Sequence, residues 1–98
     1  MGNQENDAQA LDPVAVYMLD ALSALEEGKS AAPDDIARGF AETRRKPNDG
    51  RDLYKRYRQA VKEQAIHLAR AGRVEILRRG EPVDPNDFKG VWRLRLKR

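Results

Sequence analysis

Helices first and a small sheet last, an α+β fold, is what this 98-residue sequence predicts. Three observations predict it. Residues 13–28 and 33–43 each begin with a proline beside aspartate and carry apolar residues at helical spacing. Residues 51–72 form a longer helical pattern that stops at a glycine. Two short apolar runs follow, residues 74–78 and 91–96, on either side of a loop rich in Gly, Pro and Asp. Three helices followed by a two-stranded C-terminal hairpin wing is the winged helix-turn-helix pattern, which makes nucleic-acid binding the leading expectation.

Taken in order, residues 1–11 have no periodicity and few apolar groups, and are expected to form a disordered tail before a domain over residues 12–98. Asp12 and Pro13 then supply an N-cap and a first helical residue. Val14, Met18, Leu22 and Leu25 recur on one face, which Tyr17, Leu19 and Ala21 widen, as suits a central core helix. Gly28 is the expected stop. The second helix, residues 33–43, has Asp34 and Asp35 in its first turn, where the helix dipole favours anions. Ile36, Ala37 and Phe40 face inward, and Gly39 implies a close helix–helix approach.

The third helix is expected to start at an Asp49 N-cap, with Asp52 three residues on, and to end at Gly72. Leu53, Tyr57, Ala60, Val61, Gln64, Ala65 and Leu68 fall on its inner face. Arg51, Lys55, Arg58 and Lys62 lie in line at i, i+4, i+7 and i+11, a stripe suited to a phosphate-walled groove. Ile66 interrupts the stripe slightly. In the hairpin, Val74, Ile76, Trp92, Leu94 and Leu96 point inward; Glu75, Leu77, Arg93 and Arg95 point outward. Trp92 is expected to cap the core edge.

The net charge of +3 conceals an asymmetry. Residues 1–37 hold eight acids and one base, whereas residues 38–98 hold eighteen bases and eight acids. Polyanion binding is therefore expected of the second part. The candidate nucleic-acid contacts are Arg44, Arg45 and Lys46 in the loop before the long helix, Arg51, Lys55, Arg58 and Lys62 on it, and Arg93 and Arg95 on the wing strand. Arg58 is the candidate base reader, because a planar guanidinium fits a guanine edge. DNA is the expected partner, ahead of structured RNA. The alternative is a winged helix used for protein contact or homodimerisation, since a fold does not fix a function. One continuous surface over Arg51, Lys55, Arg58, Lys62, Arg93 and Arg95 would favour DNA, and scattered or acid-interrupted cations would remove that support.

Little in the sequence points to catalysis. The lone histidine, His67, has Glu63 at i−4, and no nucleophile–base motif or glycine-rich phosphate loop is present. Asp84, Asn86 and Asp87 are spaced like part of a calcium loop, but Phe88 stands at the fifth position and no closing glutamate follows. No metal or small-molecule cofactor is expected. Cysteine is absent, which excludes disulfides and thiolate metal sites, and no apolar run approaches the roughly 20 residues that span a membrane. The polar, acidic start is unlike a secretory signal, so a cytoplasmic protein without a membrane partner is expected.

Several runs carry a resemblance: Leu68-Ala69-x-x-Gly72-Arg73-Val74-Glu75-Ile76, Arg79-Gly80-x-Pro82-Val83-Asp84-Pro85, and Lys89-Gly90-x-x-Arg93-Leu94-Arg95-Leu96. With Gly28-Lys29, Pro33-x-x-Ile36-Ala37-Arg38 and Tyr54-Lys55 upstream of Val61-Lys62, the chain resembles a bacterial family of short domains of unknown function with a predicted winged-helix fold. The resemblance spans residues 14–96. This chain departs from it at Val91, where the family favours proline, at Tyr54, where it favours tryptophan, and in a longer loop around Arg44-Arg45-Lys46. The resemblance implies the fold and transfers no activity.

Overall fold

A computed structural model describes residues 11–98; apart from Leu11, the tail expected over residues 1–11 lies outside the described residues. Helix α1 is Pro13–Ser23. The Asp12 carboxylate accepts from the Val14 N–H at 2.7 Å, which satisfies one of the unpaired donors of the first turn. Val14, Ala15, Met18 and Leu22 are buried. The helix stops at Ser23, five residues short of the expected Gly28. Ser23 Oγ donates to the Asp20 carbonyl, and the Ala24 N–H closes the last turn. Two glutamates follow, and carboxylates at the negative end of the dipole oppose further helix.

Helix α2 is Pro33–Arg44, with Ile36, Ala37, Phe40 and Ala41 buried. The close approach expected at Gly39 is made by Tyr17 of α1: a Cβ there would lie 2.8 Å from Tyr17 Cζ and overlap its hydroxyl. Phe40 is flanked by two aromatic edges, Tyr17 at 5.9 Å and Tyr57 at 5.1 Å between centroids. Edge-to-face contacts of this kind add about 0.5–1.5 kcal/mol each to simple burial.

The expected long helix is two elements. Arg51–Tyr57 winds as a 3₁₀ helix, and α3 is Arg58–Arg70. Asp49 is not the N-cap. Its carboxylate accepts from the Lys46 N–H at 2.8 Å, closing the turn before the helix, so Gly50 takes the cap position without a side-chain bond. Without that cap the first turns tighten to the i→i+3 pattern, seen in Leu53 N–H donating to the Gly50 carbonyl. The stop is as expected. Gly72 has φ of 76°, Gly72 N–H bonds Ala69 O and Arg73 N–H bonds Leu68 O, the paired bonds of a Schellman cap.

The sheet has three strands where two were expected: β1 Val74–Arg78, β2 Glu81–Pro82 and β3 Arg93–Leu96, in the order β2-β1-β3, all antiparallel. Arg78 pairs with Glu81 across a two-residue turn in which Arg79 and Gly80 both have positive φ, 53° and 83°. That turn folds part of the expected loop back as a strand, and Val91 and Trp92 fall outside β3. Ala31, just before α2, bridges the other edge of β3 through two bonds with Leu94, at 2.8 and 2.9 Å.

Val14, Met18, Leu22, Ile36, Phe40, Val61, Leu68, Val74, Ile76 and Leu94 form one core, with Leu25 packed at its edge. A fully buried Leu, Ile, Val, Phe or Met contributes about 1.5–3 kcal/mol. Leu77 departs from the expectation of an outward residue: it is 4% exposed, with Arg93 opposite it in register and Pro82 on its other side. Trp92 sits half-buried at the core edge, as expected, with Phe88 against it at 5.4 Å. Three helices followed by a three-stranded antiparallel sheet is an α+β arrangement compatible with a winged helix. Among the described residues, no helix is long and apolar enough to cross a membrane.

Candidate nucleic-acid interface

The loop after α2 holds three of the candidate cations, and each has a different environment. The Arg44 guanidinium lies 4.9 Å from the Phe40 ring centroid. Arg45 is a clasp: it holds the Glu42 carboxylate at 2.7–3.1 Å and donates to the Asp49 and Gly50 carbonyls, tying the end of α2 to the start of the 3₁₀ helix. Its hydrogen bonds hold Glu42 below the usual carboxylate range. Lys46 is exposed and has no carboxylate partner among the described residues.

The helical stripe is re-registered by the 3₁₀ segment. At about three residues per turn Lys55 stays in line with Arg58, while Arg51 moves away by about a third of a turn. Arg51 is exposed, and Lys55 lies 3.7 Å from Asp52. Arg58 reaches back 24 residues in sequence and grips Asp34 through Nε at 3.1 Å and Nη2 at 2.9 Å. The Arg58 hydrogen bond pulls the Asp34 carboxyl below its ordinary range against a smaller opposing effect of burial, and the same bond raises Arg58. Arg58 and Arg38 both lie over the Tyr54 ring, at 5.2 and 4.2 Å. The candidate base reader is therefore half of an interhelix ion pair. Lys62 stands 5.5 Å from the Phe88 ring, and Arg70 Nε donates to Asn86 Oδ1, so the loop after β2 lies along α3. Half-buried Ile66 packs with the core, in keeping with its interruption of the stripe.

On the sheet, Arg95 binds Glu75 opposite it, at 2.7 Å. Arg93 donates to Ser30 Oγ and to the Ser30 carbonyl. Both project from the face away from Ile76 and Leu94, hence away from α3. The structure thus places the helix cations and the strand arginines on separate faces, with acids against Lys55, Arg58 and Arg95. Arg56, Arg70, Arg78 and Arg79 are among the cations outside the candidate set. The Arg79-Gly80 dipeptide was a turn signal that a 12-residue loop reading overlooked. Among the described residues, no group of three or more His, Asp or Glu is placed to hold a metal.

Residues 12–97 match the family model described as "Protein of unknown function (DUF3253)". No curated protein matches the sequence.

Proposed function

The chain belongs to this family of unknown function, and from that premise we propose that it is a non-catalytic module binding DNA, mainly through backbone phosphates. One observation carries the reading. Of nineteen Lys and Arg side chains, only Arg38, Arg45, Lys55, Arg58 and Arg95 pair with a carboxylate of the described residues. The continuous surface over Arg51, Lys55, Arg58, Lys62, Arg93 and Arg95 that would favour DNA is not formed, since acids sit against Lys55, Arg58 and Arg95 and the strand arginines face away from α3. What supports the reading is the remaining surplus of fourteen cations without such a carboxylate, which suits phosphates and favours affinity over sequence preference. Lys46, Arg51, Arg56 and Lys62, all exposed, are the helix-side contacts of this reading. Arg58 stays with Asp34 and positions α3 rather than reading a base. Alongside it stand the cytoplasmic location expected from the sequence and the bacterial source that the family resemblance implies.

The test is fluorescence anisotropy with a random-sequence duplex at about 50 mM salt. With about five phosphate contacts, log K falls with log[salt] at a slope of roughly −4 to −5. Arg56→Glu with Lys62→Glu, which breaks no ion pair of the described residues, lowers affinity by at least about tenfold and flattens the slope. No binding by the unmutated chain, or equal binding by the double variant, overturns the reading. A specific observation favours a second one: Val91 is 83% exposed beside a groove lined by Pro33 and Trp92, a surface suited to a protein partner or a second copy. Concentration-dependent self-association blocked by Val91→Lys is its signature.

A further inference from the structure

A groove of about 440 Å³ lies on the outer face of the sheet, between the Arg79–Gly80 turn and residues 91–93. Leu77 lines it with Ser30, Arg78, Arg79 and Arg93, and no acid does. Two of its three guanidinium groups are fixed by neutral partners. Arg93 donates through Nε to Ser30 Oγ at 2.7 Å and through Nη2 to the Ser30 carbonyl at 2.9 Å. Arg78 Nη1 donates to the Val91 carbonyl at 2.8 Å. A guanidinium offers five N–H donors, so both keep donors in reserve, and neither is neutralised. The contrast is with Arg45, Arg58 and Arg95, each held by a carboxylate. A carbonyl that orients an arginine without cancelling its charge prepares it for an oxyanion.

The third arginine adds an independent observation. Arg79 is the described non-glycine residue with positive φ, at the turn position that Asn, Asp or Gly ordinarily fills. A side chain kept where its backbone is strained often marks a functional position.

We propose that this groove is a phosphate site, in which Arg78, Arg79 and Arg93 hold one phosphate group. Its source, a backbone phosphodiester of bound DNA, rests on the reading above; the site itself does not.

The experiment has two arms on the full chain. In the first, inorganic phosphate is titrated against chloride at equal ionic strength, with ¹H–¹⁵N spectra that include the arginine Nε resonances. Saturable shifts at Ser30, Arg79, Gly80 and Arg93 are expected; they vanish in Arg79→Asn and persist in Lys97→Gln, which removes a cation outside the groove. Asparagine is at home in a left-handed turn position, so the variant keeps its fold, and its melting temperature is recorded alongside. In the second arm, Arg79→Asn weakens random-duplex binding at about 50 mM salt by about tenfold and makes the salt slope shallower by about 0.9. Duplex binding with unchanged affinity and slope in Arg79→Asn overturns the DNA phosphodiester as the source of the phosphate and leaves the DNA reading standing. Saturation by inorganic phosphate without duplex binding supports the site and overturns the DNA reading. Phosphate shifts no larger than those from chloride overturn the site.

Discussion

Gly39 is the residue whose lack of a side chain decides how α1 meets α2. Tyr17 occupies the space a Cβ would need, and its ring is pinned edge-on against Phe40. Alanine is the better helix former by up to about 1 kcal/mol. Overpacking outweighs that gain, so Gly39→Ala is expected to lose about 1–3 kcal/mol in urea melts. Tyr17→Phe removes the nearest clashing atom, so Gly39→Ala made in that background loses less. An equal loss in both backgrounds argues against the ring as the cause. Leu68, 1% exposed on the inner face of α3, tests the core. Leu68→Ala is expected to cost about 2–5 kcal/mol by denaturant melts, and a loss under about 1 kcal/mol means its face is misassigned. Burial of this kind was largely legible from spacing alone: of Leu22, Leu25, Ile36, Val61, Leu68, Ile76 and Leu94, all expected to be buried together, only Leu25 is merely half-buried, because α1 ends at Ser23 before reaching it. Leu77 escaped because alternation assigns a face and says nothing of what covers it.

At the scale of elements, the Asp34–Arg58 pair ties the first turn of α2 to the first residue of α3. Asp34 has a folded pKa depressed by that partner. Its contribution is therefore fully present above the unfolded carboxylate value of about 4, and is lost as pH falls through the lower folded value. Unfolding of the wild type and Asp34→Asn compared from pH 6 down to about 2 should show a gap that is constant above about pH 4 and closes below it. A gap that widens with acid contradicts the pairing. The variant also leaves Arg58 without its acid, so the difference, rather than either curve, is the quantity to read. This tether was not legible: the partners lie 24 residues apart, and each had a plausible local role, dipole charge for Asp34 and groove contact for Arg58. The 3₁₀ segment was missed for a related reason. Asp49 has the chemistry of an N-cap, and only its actual bond to Lys46 shows that the carboxylate is engaged one turn earlier.

For the whole molecule, the order of elements followed from the sequence because prolines, glycines and apolar periods are local signals. Arg79-Gly80 is equally local, yet its turn was absorbed into a longer loop, and with it went β2 and the groove behind it. The candidate surface was less legible than the fold. A list of cations records charge, whereas the availability of each depends on carboxylates and carbonyls brought in from elsewhere, such as Glu75 for Arg95 and Val91 for Arg78. Salt dependence is the whole-molecule readout, since it sums every phosphate contact without needing to know which side chain makes it. The bridge between Ala31 and Leu94 has a consequence for the timing of folding. It joins positions 63 apart, and Leu94 is wholly buried. A growing chain on the ribosome can wind its three helices early, since the hydrogen bonds within each helix are local. It cannot close the sheet onto the segment before α2 until β3 has emerged from the exit tunnel. A chain stopped at residue 92 should therefore hold helices that form but do not lock, and native protease resistance should appear abruptly once β3 is included.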